Sequence, residues 1–306
     1  MKSTAECYNK VKKDCLKFIK SQETTKYKFK DKEKMIKSFL IPVSFWIGSK
    51  VRKKNPYIVG LGGGQGTGKT TISSIITIIL RKYFKLNVFK ISIDDFYKTR
   101  KERLALSKKI HPFLMTRGVP GTHDTNIMLN FFKKTKSKNF RSLKIPKFNK
   151  SVDDRYNKNF WYLVKKKPDV VIFEGWCVGA RPEQNNTLKK SVNSLEKKDD
   201  IKLIWRKFVN QQLKFKYKKL YGQLDCLLFL KANNFGLLQK WRLKQENKLR
   251  LKNKGSKKKI MSKKDVIKFM QTYQRVTQNM LKYAPNYSSI ILNLNRNHQI
   301  KSVKYK

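Results

Sequence analysis

The sequence predicts an α/β fold built on an open parallel sheet with a phosphate-binding loop at its carboxyl edge, and three stretches carry that expectation. Tyr57 to Phe84 (YIVGLGGGQGTGKTTISSIITIILRKYF) passes from a short β-type segment through a glycine cluster into an apolar-periodic helix pattern. Asn87 to Ile93 (NVFKISI) ends abruptly in Asp94-Asp95-Phe96-Tyr97. Asp169 to Gly175 (DVVIFEG) is a continuous apolar run closing on Glu174. Runs apolar at every position mark strands buried on both faces, as in parallel sheets. Open sheets of this kind gather their ligands outside the carboxyl ends of the strands.

The glycine cluster is the strongest signal. Gly63 to Thr70 fits G-x-x-x-x-G-K-[ST] without mismatch. Glycines let successive backbone N–H groups turn inward at phosphate oxygens, and the helix that follows adds the partial positive charge of its N-terminus. Gly63, Gly64, Gln65, Gly66, Thr67, Gly68, Lys69, Thr70 and Thr71 are therefore the expected nucleotide contacts. Within them Lys69 reaches the β and γ phosphates and Thr70 offers a hydroxyl to Mg²⁺.

Asp94 and Asp95 stand at the end of a strand beside the loop strand. A carboxylate there accepts the proton of an attacking hydroxyl or helps to hold the metal. The alternative for either acid is an Asx turn or a helix N-cap before the pattern Thr99 to Lys109. Glu174 has the place of a metal-associated acid. Between these strands, Arg117 to Asp124 (RGVPGTHD) reads as a turn-rich loop leading into a helix over Asp124 to Phe132, and Leu143 to Phe148 as a short strand with Pro146 at an edge.

Around that centre, residues 1 to about 50 read as two helices, the second broken at Pro42, covering one edge of the core. Further helix patterns occupy Thr187 to Leu195, Ile201 to Leu220 and Lys263 to Tyr283, with strands at Asp225 to Leu230 and Ser288 to Leu294. The helix Phe235 to Leu251 carries Arg242, Lys244, Lys248 and Arg250 and runs into a lysine-rich break at 252–259. A basic helix and loop suits a lid that excludes water and balances phosphate charge. A solvated helix face accounts for the same lysines.

Composition narrows the classes. The 306 residues hold 73 Lys and Arg against 20 Asp and Glu, a net charge of +53. Of the basic residues 60 are Lys and 13 Arg, spread along nearly the whole chain. Lysine-free islands at His111 to Phe132 and Pro168 to Leu188 keep Arg117 and Arg181 as their basic residues. A diffuse lysine excess points to composition pressure, since a dedicated nucleic-acid groove favours arginine with interleaved aromatics. Basic nucleic-acid binding stays the alternative from a different class. No apolar run approaches the roughly 20 residues that span a bilayer. The N-terminal stretch carries Glu6 and Asp14 without an apolar core, so the expectation is a cytoplasmic protein with no membrane association. The four cysteines form no C-x-x-C pair, which predicts reduced, structural thiols.

SIDDFYKT (Ser92 to Thr99), RGVPGTHD, IPKFNKSVDDR (Ile145 to Arg155), VIFEGWCVGARP (Val171 to Pro182) and WRLKQENKLR (Trp241 to Arg250), in this order, resemble the glycerate 3-kinase family, relatives of uridine kinase, phosphoribulokinase and bacterial-type pantothenate kinase. The resemblance spans about Tyr57 to Leu294. It implies a P-loop kinase fold at 51–306 with a five-stranded parallel sheet, a substrate flap between the second and third core strands, and a lid, preceded by the helical extension at 1–50. It implies ATP and Mg²⁺ as cofactors, Asp94 as general base, and Glu174 as the metal-associated acid with Thr70 and Asp94. Arg242 and Arg250 fall in the lid. Asp95, Tyr97, Arg117, His123, Asp124, Lys150, Arg155 and Arg181 fall around the acceptor, a small hydroxy acid of which D-glycerate is the leading choice and a nucleoside, pantothenate or sugar acid the alternative. Where the family usually has an aspartate this chain has Asn149.

Overall fold

The computed structural model describes residues 3–51, 56–252 and 261–306. The chain begins with α1 (Thr4–Ser21), then α2 (Lys32–Lys34), which continues through a π-helical turn (Met35–Leu40) into α3 (Ile41–Val51). There follow β1 (Tyr57–Gly62), α4 (Lys69–Lys82), β2 (Val88–Ser92), α5 (Arg100–Lys109) and α6 (Thr125–Lys136). Four short flap strands come next: β3 (Leu143–Ile145), β4 (Phe148–Asn149), β5 (Asp154–Arg155) and β6 (Tyr162–Val164). After β7 (Val170–Gly175) stand α7 (Ser194–Asp199), α8 (Ile204–Gln212), a second π-helical turn (Leu213–Tyr217) and α9 (Lys218–Tyr221). The chain ends with β8 (Cys226–Lys231), α10 (Phe235–Lys252), α11 (Lys263–Tyr287), β9 (Ile290–Leu294) and β10 (Ile300–Tyr305).

The main sheet has the order β10-β9-β8-β1-β7-β2, with five parallel strands and β10 antiparallel at the edge; the strand that leads to Asp94 and Asp95 was expected beside the loop strand, but β7 stands between β2 and β1. The expected five-stranded sheet is thus corrected to six. β10 gives little pattern to read, because only Ile300 is buried and the register with β9 shifts between Ile300 and Ser302. The central strands β1, β7 and β8 are apolar over most of their length because both faces of the sheet are covered there. Val59, Leu61, Val170 and Ile172 pack with α1, α3 and α4, while Ile58, Val171 and Phe173 pack with α6, the α8–α9 region and α11.

Two helical expectations change. The chain stays helical across Pro42, since the π turn lets the Ile41 N–H reach back five residues to the Ile36 carbonyl and widens the ladder where the proline ring enters. Thr187 to Leu195 is a 3₁₀ turn over Thr187–Lys189, and α7 starts only after Asn193, whose side chain caps it. Thr99, with Glu102 in a capping box, caps α5, so neither Asp94 nor Asp95 is spent on that helix. Of the lysine-rich break at 252–259, residues 253–259 lie outside the described residues. Among the described residues no helix is long and apolar enough to cross a membrane.

Candidate active site

The loop Gly63–Gly68 joins β1 to α4, whose first helical residue is Lys69. Gly66 and Gly68 have φ of 79° and 90°, a region open to glycine. A Cβ at Gly66 would also lie 3.0 Å from the backbone of Trp241 and Arg242, so the second turn of α10 packs on the loop. Phe235, Leu238 and Trp241 root that end of α10 in the core. Trp241 in turn stacks on His298, centroids 4.3 Å apart, in the turn between β9 and β10. The first N–H groups of α4 have no carbonyl partners of their own helix, which leaves them for an anion.

Lys69 Nζ donates to the carbonyls of Gly63 and Gly64 at 2.7 and 2.9 Å. Burial depresses its pKa, opposed by the charges of Glu174 and Asp94. Strand register brings the acids to this point: Glu174 pairs with Leu61 on one side and Ser92 on the other, and Asp94 stands two residues past Ser92. Thr70 Oγ1 donates to Glu174 Oε1 at 3.0 Å, and Glu174 is only 7% exposed. Burial raises the Glu174 carboxyl, with Lys69 pulling the other way. Asp94 behaves differently. Burial would raise it, but the Lys150 ammonium at 2.6 Å from Oδ2 and the Tyr97 hydroxyl at 3.0 Å from Oδ1 outweigh burial and hold it below the ordinary carboxylate range. At Asp95 burial wins: the Phe148 N–H and the more distant Lys150 charge pull the other way, but burial, with Asp94 beside it, pushes the carboxyl up to about 6. Two adjacent acids are therefore set apart, one kept ionised and one poised to take up a proton.

The far side of the site comes from the insertion between β2 and β7. The loop Arg117–Asp124 pairs with the segment after Asp94 through the bridge Tyr97–His123, and it is pinned from beneath. Trp176 Nε1 donates to the Gly118 carbonyl at 3.0 Å and Tyr273 Oη to the Arg117 carbonyl at 3.2 Å. Gly118 has φ of 150°, and a Cβ there would meet the Tyr273 oxygen at 2.0 Å. The hairpin β4–β5 carries Lys150 to Asp94 and Arg155 to Asp124 (3.1 Å) and to the Tyr97 carbonyl (2.7 Å). Arg117 pairs with Asp153 and lies over the Phe148 ring. Asn149 Oδ1 accepts from the Ser151 N–H and hydroxyl, closing the hairpin turn, a task an aspartate performs equally well.

Two expected site residues stand apart from the loop and from Asp94 in this structure. Arg181 was expected near the acceptor, but the chain after β7 folds back down the sheet: Val178 meets Gly60 and Gly62, and Gly179 meets Leu227. That descent carries Arg181 onto Tyr287, its guanidinium 3.7 Å from the ring, at the C-terminal end of α11 and about 20 Å along the helix from Tyr273 near its middle. Arg250, expected in the lid with Arg242, stands eight residues beyond it, about 12 Å along α10. It donates to Asn247 and the Met261 carbonyl. Arg242 stays at the loop, paired with Glu246 at 2.6 Å. Conversely, sequence reading missed Trp176, Tyr217, Trp241, Tyr273, His298 and the fully buried Arg103, which holds the Lys98, Met115 and Asp153 carbonyls. Trp176, adjoining Glu174-Gly175, and Trp241, which opens the stretch WRLKQENKLR, had a signal within reach.

No family model matches this chain. It is 32% identical over 258 residues to the uncharacterized kinase mug58 of Schizosaccharomyces pombe, covering 79% of this chain and 89% of that protein. It is 26% identical over 253 residues to the chloroplastic D-glycerate 3-kinase of Arabidopsis thaliana, which takes in 77% of this chain but only 52% of that longer protein. The structure of D-glycerate 3-kinase from Cryptococcus neoformans superposes with a TM-score of 0.72 at 24% identity, covering 87% of this chain and 99% of that one, a likeness of fold.

Proposed function

Because the chain belongs to the glycerate 3-kinase family of ATP-dependent P-loop kinases, we propose that it transfers the γ-phosphoryl group of ATP to a hydroxyl of a small hydroxy acid, D-glycerate being converted to 3-phosphoglycerate. The observation that carries the reading is the meeting of Lys69, Thr70 and Glu174 with a carboxylate, Asp94, held ionised at the same strand tips. The loop backbone and Lys69 hold the triphosphate. Asp94 accepts the proton as the hydroxyl oxygen bonds to the γ phosphorus and the bond to the β–γ bridging oxygen breaks, releasing ADP. The chemistry needs little beyond positioning and charge balance.

The residues fit Mg²⁺. Thr70 and Glu174 offer hard oxygen donors, and among the described residues no cluster of three His, Cys, Asp or Glu side chains forms a cage. Mg²⁺ suits one or two protein oxygens with phosphate and water completing its shell. When bound, it neutralises charge developing on the β and γ oxygens. Asp94, engaged by Lys150 and Tyr97, is assigned to the proton rather than to the ion.

For the acceptor's carboxylate the geometry favours Arg117 over Arg155. Arg155 is 12% exposed and already spans Asp124 and the Tyr97 carbonyl, whereas Arg117 is 29% exposed with one acid partner. A coupled ADP-release assay over hydroxy acids, nucleosides and pantothenate with Mg·ATP tests the proposal, with ³¹P NMR reading the phosphorylated position. Turnover confined to D-glycerate is expected; turnover only with a nucleoside or pantothenate would reassign the acceptor.

The Asp94 carboxyl lies below the ordinary range, so its ionised form is lost only as pH falls through that low value. The acid limb of kcat/KM that Asp94 sets is therefore expected below the range in which an ordinary carboxylate takes up its proton. In Lys150→Met the largest counterweight to burial is gone and the Tyr97 hydroxyl is left to oppose it, so activity should fall away at higher pH than in the wild type. Coincident acid limbs for the two proteins would remove Lys150 from this role.

A further inference from the structure

We propose that His123 presents its Nε2–H as a preset hydrogen-bond donor to an oxygen of the acceptor substrate, and that Tyr217 is the positioning residue that fixes this tautomer. The inference rests on the kinase reading and names what the acceptor must offer at one point.

His123 is 1% exposed and its ring stacks on that of Tyr97, centroids 4.4 Å apart and planes at 19°. The Tyr97 hydroxyl is the group on Asp94 Oδ1, so the imidazole lies beside the ring that touches the base. Its Nδ1 is 2.6 Å from Tyr217 Oη, and the same phenol oxygen accepts from the Gly121 N–H at 3.1 Å. Tyr217 is fully buried, and a phenol has one proton to give. If Nδ1 carried hydrogen, Tyr217 Oη would receive two donors, and its own proton would have no acceptor among the described residues. If Nδ1 is bare, the phenol proton goes to it and every Tyr217 bond is satisfied. The difference is a buried hydroxyl left unmet, which selects the Nε2–H form. Burial, against the opposing charge of Asp94, pushes the imidazole down to about 3, so the ring is neutral.

That leaves Nε2–H, a buried donor with no partner among the described residues. Orphaned buried donors are rare and costly enough to need a reason. Asp94 does not answer it: no hydrogen bond joins Nε2 to either of its oxygens, which Tyr97 and Lys150 engage. Tyr217 also closes the π-helical turn Leu213–Tyr217, and such turns recur where a helix must re-aim a side chain at a functional site.

A neutral N–H donor recognises an oxygen lone pair, whether of a hydroxyl, a carboxylate or a carbonyl. It rejects an ammonium, which would set donor against donor. The acceptor should therefore carry a second oxygen function near the hydroxyl that is phosphorylated. An amino group in its place should cost turnover.

The chain has three histidines, so ¹⁵N-imidazole NMR of the wild-type protein at pH 7.5, assigned with His123→Gln, reads the tautomer directly. The Nε2–H form is expected; an Nδ1–H form with turnover intact overturns this inference alone. An Nε2–H form in a protein that phosphorylates no acceptor counts instead against the kinase reading. In Tyr217→Phe the acceptor KM should rise about tenfold while the KM for ATP stays within twofold. Equal rises in both, or an unchanged acceptor KM, would make Tyr217 merely structural. Should that variant not fold, the wild-type spectrum and a comparison of D-glycerate with its 2-amino analogue, serine, decide the matter: equal kcat/KM for the two overturns the donor assignment.

Discussion

Asp94→Asn is expected to lower kcat by about 10²–10⁴-fold while leaving the dissociation constant for Mg·ATP within about twofold, the span usual for losing a positioned general base. The substitution keeps shape and removes the oxygen charge that receives the proton. Lys150 and Tyr97 hold the Asp94 carboxyl ionised despite burial, which is the state the proposed function requires of its base. Isothermal titration with a non-hydrolysable ATP analogue, beside single-turnover kinetics, separates binding from chemistry. An unimpaired kcat would discard the base assignment and turn attention to Asp95, whose carboxyl sits at about 6.

Lys69→Met should cost about 10²–10³-fold in kcat, the scale of removing one preorganised charge from a phosphoryl-transfer site. Methionine keeps the length of the stem and its packing. Burial already depresses the Lys69 pKa, which means the fold bears a cost to hold a charge there. The variant should therefore melt no earlier than the wild type, and a lost rate with a retained Tm identifies a functional cation. A large fall in Tm would instead make Lys69 a structural tie between the Gly63 and Gly64 carbonyls.

How much of this was legible beforehand follows from whether neighbours in space were also neighbours in sequence. The loop, Asp94 and Glu174 could be read because each sits at a strand tip, and a parallel sheet aligns its tips by construction. Lys150 and Arg155 were named from family motifs, but their partners, Asp94 and Asp124, lie 56 and 31 residues away, and nothing local announces such a pair. The same holds for Tyr217 beneath His123 and Tyr273 beneath Gly118, separated by 94 and 155 positions. Arg181 misled because its motif is continuous with Glu174 while the backbone between them reverses direction. β10 was missed for a different reason, since a bulged edge strand needs only one buried residue and leaves no alternation.

The rooting of α10 has a mechanical side. Phe235, Leu238 and Trp241 fasten its first two turns, Gly66 abuts its backbone, and Glu246 is buried beside Arg242. The wall that α10 sets against Gly66 is therefore carried by the core, and a phosphate held there under the proposed function would meet backbone already in place rather than a surface that must first be ordered.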